Sequence, residues 1–274
     1  MKTLPVAVQV YSVREDAEKD FKGTMRQLKD MGYNAVELAG LYGKSAEYIR
    51  SVLDEVGIPA VSAHVPLREL MADTEGTLES YKKIGVSYIA IPYLQEGDRP
   101  ENGNFDEIVA AIKKIAEAAK SMGMLTLYHN HDFEFFKMAD GRYALDYIYD
   151  TIPAELLQTE LDTCWINVAG ENPVEYITKY SGRSPIVHLK DFYKEGHAAN
   201  MYELIGAETE KEEGGQGIFE FRPLGCGMQD FPAILKASID AGSQMVVVEQ
   251  DSSVGRSPME AVKISREYLK TQGW

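Results

Sequence analysis

Cysteine is scarce and positive charge is in the minority in this sequence of 274 residues. The two cysteines, Cys164 and Cys226, are too few for a disulfide framework and lack the spacing of a zinc finger. Only 28 Lys and Arg stand against 43 Asp and Glu, which gives a formal net charge of −15. Because nucleic acids and anionic membrane surfaces are bound chiefly through Lys and Arg, this composition disfavours both as partners.

Long apolar runs and the common nucleotide or hydrolase motifs are also missing. Arg14 interrupts the apolar stretch near the start before any cleavage site of small residues, so we expect no secretory signal. No window approaches about 18 uninterrupted apolar residues, the length that a membrane-spanning helix needs. The sequence contains no GxGxxG after a strand, no GxxxxGKS/T, no GxSxG and no HExxH. We therefore expect a cytoplasmic, reduced protein.

The sequence does contain a repeated unit, in which an amphipathic helix ends at a glycine and a short apolar strand follows. Glycine just past a helix readily adopts the left-handed conformation that caps it. The strands, such as VVVE and YIAIP, are continuous apolar runs typical of parallel strands buried on both faces. The first helix places Phe21, Met25 and Leu28 on one face, as a period of 3.6 residues requires. The capping glycines are Gly32, Gly57, Gly85, Gly123 and Gly242.

Counted with residues 6–11, 156–162 and 184–191, the strands number eight. Eight strand-then-helix units predict an α/β protein with a (β/α)8 TIM barrel, which occupies about 250 residues as a single domain. We therefore expect one domain over residues 1–274. The longest interval between strand ends, from His188 to Glu249, includes the polar, acidic and glycine-rich residues 195–227, and we interpret it as a long active-site loop.

Polar residues close the strands at the end of the barrel where βα loops begin. Four of the five histidines are among them, while His197 falls in the long loop. Each residue alone is more often a satisfied polar group than a ligand, but strand ends of a barrel converge on one pocket. Isolated buried charges there would cost several kcal/mol. The residues are Glu37, His64, His129, His131, Asp162, His188, Lys190 and Glu249.

A divalent cation would offset the cost of burying these groups together. Its ligands would be Asp162, His188, Glu249 and one residue of strand five. Mixed imidazole and carboxylate donors favour Mn, Co, Fe, Ni or Zn over Ca or Mg. The sequence therefore predicts a metal site of this kind, with a divalent ion such as Mn, Co or Zn as cofactor.

In the motifs that carry these residues, the sequence resembles the xylose isomerase-like TIM-barrel superfamily of sugar isomerases and epimerases. The resemblance covers nearly the whole chain, and it implies that Asp162, His188 and Glu249 are metal ligands on consecutive strands. The motifs are GYNAVEL, SAH, YHNHDFEF, LDTCW, VHLKD, PLGCG and VVVEQD, in this order along the chain.

Strand five departs from the family pattern. Members with isomerase or epimerase activity usually carry a glutamate there, whereas His129 holds that position in this sequence. In the sugar epimerases, the glutamates of strands five and eight bind metal and also pass protons on opposite faces of the substrate. Histidine is a competent acid or base near neutral pH. Because residues two apart share a strand face, either His129 or His131 could reach the metal.

Two functions share these residues. The first expectation is a metal-dependent sugar isomerase or epimerase acting through an enediolate, with Glu249 or His131 moving the proton and Lys190 holding the oxyanion. The alternative is a metal-dependent lyase or dehydratase that expels a β-leaving group from a keto-sugar, keto-glycoside or keto-inositol. In either, the predicted substrate contacts are Glu37, His64, Trp165 and Phe192.

Two further interpretations are weaker. A DNA-repair endonuclease with a zinc cluster is opposed by the net charge of −15 and by the small number of histidines. A non-catalytic sugar-binding barrel would keep its sugar affinity without a metal. The partner that we expect is a small sugar or keto-sugar, with neither nucleic acid nor membrane, and the protein is a possible homo-oligomer.

Overall fold

In the computed structural model, which describes residues 3–196, 201–206 and 217–274, eight parallel strands close into a barrel. The first strand pairs with both the second and the last, so the sheet has no free edge. The barrel strands are β1 (Val6–Gln9), β2 (Ala35–Ala39), β3 (Ala60–His64), β4 (Tyr88–Ile91), β5 (Leu125–His129), β6 (Leu157–Asp162), β7 (Ile186–Leu189) and β10 (Met245–Val248). Two further strands outside the barrel, β8 (Asp191–Gly196) and β9 (Gly217–Arg222), lie between β7 and β10 along the chain. The predicted (β/α)8 barrel is confirmed.

Helices connect the strands and cover the outside of the barrel. They are α1 (Arg14–Lys19), α2 (Phe21–Met31), α3 (Ala46–Val56), α4 (Leu67–Ala72), α5 (Thr74–Ile84), α6 (Phe105–Ser121), α7 (Ala144–Thr151), α8 (Thr163–Val168), α9 (Pro173–Lys179), α10 (Phe231–Asp240) and α11 (Pro258–Thr271). Side chains start several of them, since Ser45 accepts a hydrogen bond from the Tyr48 amide at the start of α3. Gly32 ends α2 at a φ of 96°, where a side chain would be strained. No helix in the described part of the chain is long and apolar enough to cross a membrane.

The hydrophobic core has two layers that follow from the strand and helix patterns. The predicted faces of the helices, such as Phe21, Met25 and Leu28 on α2, are buried against the outside of the barrel. Inside the barrel lies a separate small cluster, formed by Ala7, Ala35, Ala90, Leu127, Ile186 and Val247. The interior above that cluster, toward the carboxyl ends of the strands, is filled by polar side chains instead.

The interval after β7 contains more regular structure than we expected, so the interpretation of the interval from His188 to Glu249 as one long loop is wrong. β8 (Asp191–Gly196) pairs antiparallel with β9 (Gly217–Arg222) and forms a two-stranded ribbon. A short 3-10 helix spans Met201–Ile205, and α10 precedes the last barrel strand. The alternation of apolar and charged residues in β9, with Phe219 and Phe221 separated by Glu220, is the sequence signal for this ribbon. His197 lies outside the described residues.

Candidate active site

A cavity of about 640 Å³ opens at the carboxyl ends of the barrel strands. This is the end where βα loops carry the functional groups of TIM barrels. The cavity is large enough for a small molecule of sugar size. Among the residues that line it are Tyr11, His64, Tyr93, His129, His131, Lys190, Glu249 and Asp251.

At the floor of this cavity, four side chains bring their metal-binding atoms within 4.8 Å of one another. We refer to them as the donor set: His129 ends β5, Asp162 ends β6, His188 lies in β7, and Glu249 follows β10. All four are buried. Two imidazoles and two carboxylates whose donor atoms converge in a buried pocket fit a divalent cation such as Zn²⁺ or Mn²⁺.

Lys190 supplies a fixed positive charge beside the donor set. Its Nζ atom lies 3.0 Å from Oδ2 of Asp162, 2.9 Å from Oε2 of Glu249 and 2.9 Å from Oδ2 of Asp251. Burial lowers the pKa of Lys190, but these carboxylates together hold it well above its ordinary value. The ammonium group therefore remains charged at neutral pH and can donate hydrogen bonds into the cavity.

A second layer of charged groups lies beneath the donor set, deeper in the barrel. We refer to Glu37 and Glu160, which are both fully buried, as the lower carboxylates. The Nε2 atom of His64 lies 2.7 Å from Oε2 of Glu160 and 3.1 Å from Oε2 of Glu37. Although burial disfavours the charged ring, these two carboxylates raise the pKa of His64 to about 10. Gln9 donates a further hydrogen bond of 2.8 Å to Glu37.

The two histidines of strand five have different surroundings. His129 belongs to the donor set, whereas His131 lines the cavity next to the aromatic rings of Phe133 and Tyr93, with ring centroids 5.4 Å and 5.0 Å away. Burial, with the positive charge of Lys190, holds the pKa of His131 well below its ordinary value. His131 is thus a neutral imidazole. This arrangement favours His129 as the strand-five ligand and leaves His131 free for another role.

The predicted substrate contacts divide into two groups. His64 lines the cavity, but the side chains of Glu37, Trp165 and Phe192 are fully buried and do not. The indole of Trp165 packs behind His131, with ring centroids 5.1 Å apart. Phe192 stacks on Phe219 of the ribbon at 5.3 Å. Their contact with a sugar stays a prediction, which this burial does not favour.

Two acidic residues of the site were not identified from the sequence. Glu160 lies two residues before Asp162 in β6, and Asp251 lies two residues after Glu249. Since side chains two apart in a strand share a face, this spacing is the signal that could have identified Glu160. The sequence TELD is typical of the end of one buried strand, so only its last carboxylate, Asp162, was predicted to belong to the site.

A short segment after the ribbon strand β8 covers one side of the cavity. We refer to residues 201–206 as the roof segment, because Ile205 and Gly206 line the cavity. The Tyr11 hydroxyl donates a hydrogen bond of 2.8 Å to the Ile205 carbonyl. Tyr202 stacks on Trp165 at 5.7 Å, and its hydroxyl donates to the Asp132 carboxylate. These contacts attach the roof segment to the barrel.

Comparison with known proteins agrees with this architecture. A family model described as a xylose isomerase-like TIM barrel matches residues 25–272. An inosose dehydratase of Clostridium botulinum (strain Eklund 17B / Type B) is 28% identical over 276 residues, which cover 92% of this chain and 90% of that protein.

Two solved structures share the fold at lower sequence identity. A sugar phosphate isomerase/epimerase from Parabacteroides distasonis ATCC 8503 superimposes with a TM-score of 0.77 at 20% identity, covering 98% of this chain and 94% of that one. The IOLI protein, solved with a zinc atom bound, gives a TM-score of 0.71 at 16% identity, covering 98% of this chain and 97% of that one. Identities this low are evidence for the fold alone.

Proposed function

The chain belongs to the xylose isomerase-like TIM-barrel family, and from this membership we propose that it is a metal-dependent lyase that removes water from a small cyclic keto-polyol. The substrate class would be keto-inositols or related keto-sugars. Full-length curated relatives that carry the name inosose dehydratase support this class, at identities of 21% to 28%. They favour the lyase, which the sequence offered as an alternative, over the isomerase or epimerase that it put first.

The observation that carries this proposal is the imidazole of His129 at strand five. Epimerisation by two carboxylates needs a second proton-transfer group on the opposite face from Glu249. His129 lies within 3.6 Å of Asp162 through Nε2 and within 3.4 Å of Glu160 through Nδ1, so both its nitrogens face other charged groups. Elimination of water needs only one proton-transfer group, because one residue can remove a proton and return it, and His131 is the cavity histidine outside the donor set that can take this role.

The donor set is the part of the site that would hold the metal. His129, Asp162, His188 and Glu249 offer two imidazole nitrogens and two carboxylates, which suit Mn, Co, Zn or a similar ion. When bound, a divalent cation would polarise the substrate ketone and stabilise the negative charge that develops on its oxygen.

We assign the proton transfer to His131. Its neutral imidazole lines the cavity and can accept the proton from the carbon next to the ketone. The Lys190 ammonium would donate a hydrogen bond to the ketone oxygen as negative charge grows there. His131 then returns the proton to the hydroxyl on the following carbon, which leaves as water. One C–H bond and one C–O bond break, one C=C bond forms, and the products are an enone and water.

The test is a product analysis on metal-reconstituted protein. Purified protein is analysed for bound metal and is then incubated with a panel of keto-inositols, ketoses and keto-glycosides. We expect a divalent metal, a product that has lost one water molecule, and the ultraviolet absorption of an enone. His131→Ala should abolish this product while metal content stays that of the wild type. Metal-loaded protein that produces no dehydrated product from the panel would contradict the proposal.

An isomerase or epimerase remains the second candidate, because Glu249 holds the strand-eight position that the epimerase pattern requires. The same product analysis separates the two functions. An epimerase would give a product of unchanged mass, with solvent deuterium incorporated at the epimerised carbon. Asp162→Asn distinguishes either enzyme from a non-catalytic sugar-binding barrel. An enzyme should lose both metal and turnover in that variant, whereas a binding protein would keep its sugar affinity.

A further inference from the structure

The two histidines of the donor set each face two layers of the site. In His188, Nδ1 lies 3.0 Å from Oε2 of Glu249 and Nε2 lies 2.8 Å from Oε2 of Glu37. In His129, Nε2 lies 3.6 Å from Oδ2 of Asp162 and Nδ1 lies 3.4 Å from Oε2 of Glu160. Each ring therefore has one nitrogen in the donor set and the other against a lower carboxylate.

We propose that the lower carboxylates Glu37 and Glu160 are positioning residues, which orient His188 and His129 as metal ligands by accepting the N–H that each ring directs away from the metal. This inference rests on the proposed metal site. It assigns to Glu37 a role in the layer beneath the metal, in place of contact with the substrate.

Because of the chemistry of imidazole, a metal bound in the donor set excludes a second metal in the lower layer. A neutral ring has one lone pair and one N–H, so a lone pair given to a metal in the donor set leaves the N–H pointing at the lower carboxylates. Ligand histidines commonly direct that second nitrogen to a carboxylate, which fixes the tautomer and the ring orientation. The lower layer has metal-binding geometry of its own, because atoms of His64, His129, Glu160 and His188 also lie within 4.8 Å of one another. A metal in both layers would strip both rings of their protons, which costs far more than a hydrogen bond.

The N–H groups of the two ligand rings need the lower carboxylates as acceptors because they are buried. Glu37, Glu160 and His188 are fully buried, so the inward-facing N–H groups lie away from the solvent that could otherwise solvate them. His64 holds the two carboxylates together, since its Nε2 atom lies within 3.1 Å of both. The acceptors are thus fixed before the metal arrives, and the ligand rings would bind it with little reorganisation.

The experiment measures metal affinity, by competition of Zn²⁺ with a chromophoric chelator, together with the visible spectrum of Co²⁺-loaded protein. Glu37→Leu and Glu160→Leu remove the acceptor and should weaken binding about 10- to 100-fold and shift the Co²⁺ bands. Glu37→Gln retains an acceptor oxygen at the same reach and should lose much less. Glu134→Leu is the matched control, because Glu134 is equally buried but accepts from the Tyr128 hydroxyl and the His131 amide. Its metal affinity should stay that of the wild type.

The outcomes separate this inference from the proposed function. Wild-type protein that binds no divalent metal would refute both. One metal per chain with unchanged affinity in the Leu variants, or equal losses in Glu37→Leu and Glu37→Gln, would overturn the positioning role alone. Two metals per chain would also overturn it, because the lower layer would then be a site itself. If the Leu variants do not fold, Glu37→Asp replaces them. It keeps the charge but withdraws the acceptor, and affinity no weaker than that of Glu37→Gln would overturn the inference.

Discussion

At the scale of single residues, Glu249 links the donor set to the positive charge of Lys190. Its Oε2 atom lies 3.0 Å from Nδ1 of His188 and 2.9 Å from Nζ of Lys190. Burial alone would raise its pKa, but the charge of Lys190 and the hydrogen bond to His188 hold it well below its ordinary value. Glu249 is therefore an anion throughout the physiological pH range, which the proposed role as a metal ligand requires.

Glu249→Gln should consequently lose activity by about a thousandfold or more, the scale on which acid–base and ligand groups contribute. The neutral amide is a weaker metal ligand and leaves Lys190 with one carboxylate fewer. Turnover on the substrate identified by product mass measures the loss, and circular dichroism checks that the fold survives. The exposed Glu107→Gln on α6 is the control and should remain fully active. Near-normal turnover in Glu249→Gln would remove this residue from the mechanism.

A second buried acid, Glu134, makes stability depend on pH. Burial raises its pKa to about 8 from an ordinary value of 4.5. The folded state binds this proton more tightly than the unfolded chain does. The contribution of the protonated Glu134 to the free energy of unfolding is therefore complete below about pH 4.5 and is lost as pH rises through about 8. The hydrogen bonds that Glu134 accepts from Tyr128 and His131 lower its pKa, but by less than burial raises it.

Replacing Glu134 with Gln removes this titration. Urea unfolding of Glu134→Gln and the wild type should therefore diverge with pH, the variant gaining in relative stability between about pH 5 and pH 8. The exposed Glu75→Gln variant should follow the wild-type profile. A constant difference in unfolding free energy across this range would mean that Glu134 does not titrate there.

At the scale of elements, the turn between the ribbon and α10 depends on one carboxylate. Asp191 accepts hydrogen bonds from the backbone amides of Phe192, Gly225, Gly227 and Gln229, at distances from 2.8 to 3.2 Å. The backbone approaches so closely that a Cβ at Gly227 would lie 2.4 Å from the Phe192 carbonyl oxygen. The PLGCG motif therefore wraps around the side chain of Asp191.

Asp191→Ala should lower the free energy of unfolding by about 2 kcal/mol or more, because it leaves several amides in a tight turn without an acceptor. Denaturant unfolding monitored by circular dichroism measures the change. Asp240→Ala, at an exposed aspartate of α10, is the control and should stay close to the wild type. Equal stability of the two variants would show that water replaces Asp191 in this turn.

The roof segment is the element most directly tied to substrate binding. Tyr11→Phe removes only the hydroxyl that donates to the Ile205 carbonyl at 2.8 Å. The loss of one hydrogen bond, about 1 kcal/mol, corresponds to roughly a fivefold change in affinity. We expect KM to rise by about that factor with kcat nearly unchanged. Tyr88→Phe, which removes a hydroxyl paired with Gln244 at the opposite end of the barrel, should change neither constant. A fall in kcat alone in Tyr11→Phe would point to a chemical role for the hydroxyl.

At the scale of the whole molecule, hydrophobic periodicity predicted the barrel, and the polar residues at the strand ends predicted where the candidate site lies. Strand ends alone were enough to group Asp162, His188 and Glu249, because β6, β7 and β10 are neighbours in the barrel and end at one edge. Glu160 was missed because it lies inside a buried strand and not at its end, although its spacing of two from Asp162 places both carboxylates on one face of β6. The direction of Trp165 could not be predicted, since the short helix α8 starts directly after Asp162 and turns the indole away from the cavity wall.

The closure of the barrel yields a last prediction, on the domain organisation over residues 1–274. β1 pairs with both β2 and β10, so the first and last strands of the fold stabilise each other. Unfolding of either strand would open the closed sheet and remove the surface on which the surrounding helices pack. We therefore expect the sheet and the helices to unfold together. Calorimetry should therefore give a single unfolding transition, with equal calorimetric and van't Hoff enthalpies. Removing the metal with a chelator should lower its midpoint without splitting it, since an ion bound only by the folded state stabilises that state as a unit. Two resolved transitions would indicate two domains, and a midpoint that does not respond to chelation would argue against a metal in the donor set.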